Sequence, residues 1–296
     1  PDMPDCVLTL IARPGEPALP ALAERFADEF APTAVAWLSP GEAFDLYVPG
    51  DLGDLRLRAT ALAAGAPADI AVQPAAGRRK RLFIADMDST MIGQECIDEL
   101  ADFAGLKAKV ADITERAMRG ELDFPSALRE RVGLLAGLPE ETIGRVIVER
   151  ITLTPGGREL VGTMRANGAR TCLVSGGFTA FTDRIAGMIG FDESHGNRLE
   201  IAAGRLTGRV AEPILGREAK LAALEDALAR FGLVAEEALA TGDGANDLLM
   251  VQRAGLGVAY HAKPALAAAA DMRVDHGDLT ALLFAQGYRR DEFATG

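Results

Sequence analysis

From residue 82 onward, short apolar segments alternate with helical ones, and this alternation limits the folds open to the chain. Candidate strands lie at residues 82–86, 170–175, 238–243, 256–260 and 272–275. Strands that alternate with helices favour a parallel sheet with helices on both faces. We therefore predict a doubly wound α/β core, in which ligands bind beyond the carboxyl ends of the strands.

The first 77 residues show a different order of elements. They indicate a strand, a helix, two strands, a helix and a last strand, at residues 7–12, 18–30, 33–38, 43–48, 51–64 and 69–74. This β-α-β-β-α-β order is typical of ferredoxin-like α+β domains. We predict a smaller domain at residues 1–77 and an α/β domain at residues 78–296, joined at a linker of small residues.

Charge and composition exclude several classes of function. The chain has 296 residues and a net charge of −12, which argues against a general affinity for nucleic acid or anionic membranes, since binding to these needs clustered Lys and Arg. No apolar segment approaches the roughly 18 residues of a membrane span, which also excludes an ion pump. The three cysteines are odd in number and form no C-x-x-C pattern, which argues against disulfides and zinc. We expect a cytoplasmic protein that binds neither nucleic acid nor membrane.

Polar residues follow three of the predicted strands. They are Asp86 and Asp88 after the first, Ser175 and Gly176 after the second, and Asp243, Asn246 and Asp247 after the third. Because the carboxyl ends of parallel strands meet at one edge, these residues are expected to converge. An Asp after a strand is also a common turn former or helix N-cap. That alternative does not explain four carboxylates in one place without a cation.

The convergence predicts a metal ion. Carboxylates a few ångströms apart repel each other, and one becomes protonated unless a positive charge lies between them. Oxygen ligands without nearby Cys or His favour Mg²⁺ over zinc or copper. Mg²⁺ keeps part of its coordination shell for water and substrate phosphate, so two or three protein ligands suffice. The sequence therefore predicts Mg²⁺-dependent phosphate chemistry at this edge.

Several stretches of the chain carry a family resemblance. They are DMDSTMIGQE (86–95), SGGF (175–178), Lys220 and GDGANDLLM (242–250). Together they resemble the four motifs of the haloacid dehalogenase superfamily of phosphatases. More narrowly, Glu95, residues 120–138 and VSGGF are similar to the phosphoserine phosphatase family.

The resemblance has structural implications beyond the motifs. It covers residues 82–286 and implies a haloacid dehalogenase-like core with a helical cap at about residues 95–150. Residues 1–77 are similar, in pattern only, to the ACT-like extension of some family members. Modules of that kind often pair and bind amino acids, which implies a homodimer formed through the N-terminal domain.

Chemistry and resemblance agree on the roles of the first two aspartates. A phosphate monoester repels nucleophiles, so its hydrolysis depends on positioning and charge neutralisation. Asp86 is expected to attack phosphorus and form an aspartyl-phosphate. Asp88 is expected to protonate the leaving alkoxide and then to deprotonate water. The expected metal ligands are Asp86, the backbone carbonyl of Asp88 and Asp243, with Asp247 in support.

The resemblance also implies contacts with the substrate. The residues expected at the phosphate are Ser175, the amide of Gly176, Lys220 and Asn246. Glu95 is expected to bind an ammonium group and Arg131 a carboxylate, which suits the planar fork of arginine. Without the resemblance, Glu95, Arg131 and Lys220 are ordinary charges on helix surfaces.

The expected activity is Mg²⁺-dependent hydrolysis of O-phosphoserine to serine and phosphate, the last step of serine biosynthesis. Two alternatives stay open. In the first, the protein is a phosphatase of the same superfamily that acts on another small phosphorylated amine or acid, or that passes phosphate to an acceptor other than water. In the second, the protein is a binding protein or amino-acid sensor that keeps the fold without the chemistry, although the intact Asp86 and Asp88 argue against this alternative.

Overall fold

The computed structural model describes residues 5–118 and 121–295. Within them the strands are β1 (Asp5–Ala12), β2 (Ala34–Ser39), β3 (Ala43–Pro49), β4 (Ala68–Pro74), β5 (Leu82–Ala85), β6 (Arg170–Phe178), β7 (Glu193–Asn197), β8 (Leu199–Ala202), β9 (Arg205–Val210), β10 (Ala238–Gly242), β11 (Leu256–Tyr260) and β12 (Met272–Val274).

The α-helices in the same ranges alternate with most of these strands. They are α1 (Leu19–Phe30), α2 (Leu52–Ala63), α3 (Cys96–Phe103), α4 (Lys107–Met118), α5 (Phe124–Leu134), α6 (Glu141–Glu149), α7 (Gly157–Ala166), α8 (Thr179–Ile189), α9 (Arg217–Phe231), α10 (Leu248–Arg253), α11 (Pro264–Ala267) and α12 (Ala281–Ala285). Across the described chain, none of these helices combines the length and the apolar character needed to cross a membrane.

A parallel sheet in the order β12-β11-β10-β5-β6-β7 forms the α/β core. Its strands are apolar on both sides because helices cover both faces. In β5, Phe83 and Ala85 pack toward α7 and α8, whereas Leu82 and Ile84 pack toward α9 and α10. The predicted doubly wound α/β core is therefore confirmed.

The N-terminal residues form four antiparallel strands in the order β2-β3-β1-β4. Helices α1 and α2 cover one face, where Leu10 of β1, Phe26 of α1 and Leu55 of α2 share one buried cluster. The predicted β-α-β-β-α-β order is confirmed, with element ends within about two residues of the predicted ones.

The two parts of the chain share a single sheet of ten strands. Strand β4 pairs antiparallel with β12 at Ile70 and Arg273. Beside this pair, the buried Asp69 carboxylate accepts hydrogen bonds from the amides of Asp275, His276 and Gly277, at 2.8, 3.1 and 2.8 Å. The division at residue 77 falls between β4 and β5 and stays a prediction, while the sheet runs across it.

Four helices, α3 to α6, form the region predicted as a cap, and two adjacent chain segments join it to the core. Ile92 bridges to Leu153, and Gly93 donates to the carbonyl of Thr152 at 3.0 Å. Gln94 exchanges two further hydrogen bonds with Thr152, both at 2.8 Å. The two connections to the cap therefore lie side by side.

Three strands were not predicted from the sequence. Strand β7 reads ESHGN, and its polar composition reflects its place at the edge of the sheet, where one side faces solvent. Strands β8 and β9 form a separate hairpin that packs against α5 of the cap. The amide of Gly137 donates to Leu206 of this hairpin at 2.8 Å, so the hairpin supports the cap from the side.

We predict that Asp69→Asn lowers the free energy of unfolding by about 2 kcal/mol, because one carboxylate oxygen that accepts amide hydrogens becomes an NH₂ donor. The midpoint of urea unfolding measures this change. Asp28→Asn, at an exposed position on α1, is the matched control. Equal midpoints for the two variants would contradict the structural role of Asp69.

Candidate active site

Neighbouring strand ends place two aspartates next to each other. Asp86 follows β5, and its amide donates to the carbonyl of Thr241 in β10 at 3.0 Å, which extends the strand pairing by one step. Asp243 follows β10 directly. Since β5 and β10 are parallel neighbours, their carboxyl ends bring both carboxylates to the same edge of the sheet.

Lys220, in the first turn of α9, lies beneath this edge. Its Nζ is 2.7 Å from Oδ1 of Asp86 and 2.6 Å from Oδ1 of Asp247, and its side chain is 2% exposed. Burial opposes the charged form of Lys220, but the two carboxylates outweigh it and raise its pKa. The lysine therefore stays charged and joins the two aspartates.

Asp247 is fixed on both of its oxygens. While Oδ1 contacts Lys220, Oδ2 accepts from the amides of Asp243 and Gly244, both at 3.1 Å. The carboxylate lies so close to the backbone of Gly242 that a Cβ there would overlap it. Position 242 therefore requires glycine, and Asp247 supports the loop that carries Asp243.

The carboxylate cluster fits an additional cation. One oxygen from each of Asp86, Asp243 and Asp247 lies within 4.8 Å of the others. Burial, with the nearby Asp247 charge, raises the pKa of Asp86 well above its ordinary value despite Lys220. Burial likewise raises the pKa of Asp243 to about 6. The cluster holds more negative charge than one lysine offsets, and its oxygen donors suit a hard divalent ion.

A cavity of about 430 Å³ opens between this edge and the cap. The predicted site residues in its wall are Asp86, Asp88, Glu95, Arg131, Ser175, Gly176, Asp243 and Asn246. Lys220 and Asp247 lie buried beneath them. The structure therefore brings all the predicted site residues together.

Asp88 is held apart from the buried cluster. Its Oδ1 accepts from the amide of Cys96 at 3.3 Å. Burial raises its pKa to about 7, and the charge of Glu95 acts in the same direction. A carboxyl group with this pKa exchanges a proton readily near neutral pH.

The last residues of β6 present donors to the cavity. Ser175 accepts at Oγ from the amide of Gly177 at 2.8 Å, which leaves its hydroxyl proton available for donation. Asn197 fixes this end of the strand by donating to the carbonyl of Gly176 at 2.8 Å. This arrangement suits the binding of phosphate oxygens.

The cap side of the cavity carries charges of both signs. Oε1 of Glu95 accepts from the hydroxyl of Ser89 at 2.6 Å. Arg131 lies on α5, and its Nε donates to the carbonyl of Ala127 at 3.3 Å. Burial lowers the pKa of Arg131, while Asp98 and Glu95 act against that shift. A ligand with one ammonium and one carboxylate group finds a partner for each here.

The cavity wall also contains residues that were not among the predicted site residues, and Ser89, Asp98, Phe124 and Lys263 are four of them. The amide of Lys263 donates to the carbonyl of Asp243 at 2.8 Å, and its Nζ lies 3.8 Å from Oδ2 of Asp243. Lys263 follows β11, so the strand-end rule applied to that strand would have found it. Asp98 and Phe124 lie on cap helices, for which the sequence offers no comparable rule.

Comparison with known proteins shows the family to which the chain belongs. The family model of haloacid dehalogenase-like hydrolases matches residues 83–252. That range includes both strand-end aspartates, the lysine and the cap. The chain belongs to the haloacid dehalogenase-like hydrolase family.

The chain is also similar to individual proteins and solved structures. The chain is 45% identical over 234 residues to the phosphoserine phosphatase of Archaeoglobus fulgidus, which covers 78% of this chain and 68% of that protein. A solved phosphoserine phosphatase that carries a phospho-aspartyl intermediate analogue is 40% identical, with a TM-score of 0.65 over 69% of this chain and 98% of that one. A HAD family hydrolase from Salmonella enterica is 28% identical, with a TM-score of 0.85 over 95% of this chain and 98% of that one.

We predict that Lys220→Met lowers the free energy of unfolding by about 3 kcal/mol in chelator, because two buried carboxylates lose their partner. Chemical denaturation in EDTA measures the change. Lys109→Met, at an exposed position on α4, is the matched control and is expected to stay within about 0.5 kcal/mol of the parent. A loss no larger than that of the control would show that the buried ion pairs contribute little.

Proposed function

We propose that the chain is a phosphoserine phosphatase, a phosphoric monoester hydrolase that converts O-phosphoserine and water to serine and inorganic phosphate. This reaction is the last step of serine biosynthesis. The observation that carries the proposal is the cavity in which Asp86 and Asp88 lie opposite Glu95 and Arg131. The similarity to relatives named phosphoserine phosphatase supports it.

We propose Mg²⁺ as the cofactor. The carboxylates of Asp86 and Asp243 and the backbone carbonyl of Asp88 would hold it, with Asp247 in support. The oxygen-only donors and the excess negative charge of the cluster fit this ion. When bound, the cation supplies positive charge that offsets the charge of the phosphate group.

Asp86 acts as the nucleophile. Its carboxylate oxygen forms a bond to phosphorus as the bond from phosphorus to the serine oxygen breaks, which leaves an aspartyl-phosphate. Lys220, 2.7 Å from Asp86, keeps positive charge next to the reacting group. Ser175, the amide of Gly176 and Asn246 orient the phosphate oxygens, so that much of the catalysis consists of positioning.

Asp88 acts first as the acid and then as the base. In the first step it gives its proton to the serine alkoxide as that group leaves. In the second step it takes a proton from the water that attacks phosphorus and releases Asp86. Its pKa of about 7 lets the same group hold and release a proton near neutral pH.

Specificity comes from the cap side of the cavity. Glu95 would bind the ammonium group of the substrate, and Arg131 its carboxylate, in a bidentate arrangement. Both side chains line the same cavity as Asp86, so one small molecule can reach all three.

A panel of substrates tests the proposed function. We expect the Mg²⁺-loaded protein to release phosphate faster from O-phosphoserine than from phosphothreonine or sugar phosphates. EDTA and Asp86→Asn are each expected to reduce release to background, whereas Asp28→Asn, at an exposed site on α1, is not. Phosphate-release assays measure these rates.

Other results of the panel identify the alternatives. Equal release by the parent and Asp86→Asn would contradict the covalent mechanism. A preference for another phosphorylated amine or acid would point to the related phosphatase. Binding of phosphoserine without any release would point to a binding protein.

Substitution of the cap charges tests the specificity. Glu95→Gln and Arg131→Met are expected to lower kcat/KM for phosphoserine at least about tenfold, since each removes a charged partner of the substrate. The fall for phenyl phosphate, which has neither group, is expected to be much smaller. Glu141→Gln on α6 and Arg129→Met on α5 are matched exposed controls. Equal losses on both substrates would exclude a role in specificity.

We further propose a cytoplasmic homodimer formed through the ACT-like residues 1–77. Cys96 and Cys172 are buried in the described part of the chain and are not joined in a disulfide, as is usual in a reducing compartment. Strand β2 is one of the two outer strands of the sheet and contains no charged residue. Its Val35 and Trp37 are 53% and 46% exposed, and uncharged apolar edges tend to pair with another strand.

Sedimentation velocity tests the dimer. We expect the parent to sediment as a dimer and Trp37→Lys as a monomer, because a charge on the edge strand opposes pairing. Leu57→Lys, at a 72% exposed position on α2, is the matched control and is expected to remain dimeric. A parent that sediments as a monomer over a wide concentration range would rule the dimer out.

A further inference from the structure

Ser89 occupies a backbone conformation that serine rarely adopts. It follows Asp88 in the turn after β5, with φ of 55° and ψ of 8°. Glycine or asparagine takes this left-handed conformation at lower cost. A strained residue next to a reacting group suggests that its side chain is needed there.

The side chain of Ser89 acts on Glu95. Its hydroxyl donates to Oε1 of Glu95 at 2.6 Å, and its amide donates to the carbonyl of Gln94 at 3.2 Å. Both contacts close the short loop between the catalytic turn and the first cap helix. Among the residues that the structure describes, no hydrogen bond to Oε2 of Glu95 is found, so this oxygen is open to a ligand.

Glu95 requires such an anchor because of its surroundings. It is an exposed, flexible side chain at the N-terminus of α3, and the charges that face it are those of Asp88, Asp243 and Arg131. The two aspartates repel it, while Arg131 attracts it. Without the hydroxyl of Ser89, Glu95 is free to turn toward Arg131, and an ion pair between them would block both binding groups.

We propose that Ser89 is a positioning residue that holds Glu95 as the receptor for the substrate ammonium group and keeps it apart from Arg131. This inference rests on the proposed function. Ser89 does not touch the reacting atoms in this role. It sets substrate selectivity through Glu95.

Two substrates that differ at a single group test the proposal. In 3-phosphoglycerate a hydroxyl replaces the ammonium group of phosphoserine, while the phosphate and carboxylate are kept. We expect Ser89→Gly to lower the ratio of kcat/KM for phosphoserine over 3-phosphoglycerate about tenfold, the usual scale for one hydrogen bond to a charged group. Ser89→Gly also relieves the backbone strain, so a loss of folding does not explain a loss of selectivity.

A double-mutant cycle with Glu95→Gln shows whether the effect passes through Glu95. In the Glu95→Gln background, Ser89→Gly is expected to change the ratio less than about twofold. Ser89→Asn tolerates the same backbone conformation and offers an amide donor, so it is expected to restore part of the selectivity. Ala203→Gly is the matched control, since it relieves a φ of 49° in the turn between β8 and β9.

The outcomes separate the two proposals. A parent protein without preference for phosphoserine over 3-phosphoglycerate overturns the proposed function and the role of Ser89 with it. A parent with that preference, but with an unchanged ratio in Ser89→Gly, overturns only the role of Ser89. A fall of the same size in the Glu95→Gln background does so as well, because the effect would then bypass Glu95.

Discussion

Repulsion between buried carboxylates is the constraint on which this structure depends. Asp86, Asp243 and Asp247 place oxygens within 4.8 Å of each other, and Lys220 offsets only part of their charge. Such a cluster is unfavourable unless amides and cations surround it. The parallel strand ends, the lysine beneath them and the amides that bind Asp247 all serve this need. The same unbalanced charge makes the site suitable for a divalent cation.

The core and the cap region hold their site residues in different ways. Strand ends position the aspartates through backbone pairing, as in the hydrogen bond from the amide of Asp86 to Thr241. On the cap side, Arg131 lies on α5 with its Nε on the carbonyl of Ala127, and Glu95 is held by the hydroxyl of Ser89. One fold of this kind can carry many different sites, so the residues that line the cavity decide the function.

The sequence predicts those features that follow from local pattern. Asp86 and Asp243 were located because pairing of parallel strands determines where their ends meet. Lys220 looks like a surface lysine, since its burial depends on how α9 packs beneath the loops, and only the family resemblance pointed to it. The edge strand β7 has no run of apolar residues, so the hydrophobic pattern did not identify it as a strand. The contact of β4 with the segment after β12 involves Asp69 and amides about two hundred residues away, which no local pattern encodes.

The paired connections of the cap have a consequence for how a ligand is held. Residues 92–94 and 152–153 are hydrogen-bonded to each other, so the two chain connections between the cap and the core lie along one line. Ser89 ties Glu95 to the core side of that line, while Arg131 lies beyond it on α5. An amino acid bound to both Glu95 and Arg131 would connect the core to the cap and hold the two together.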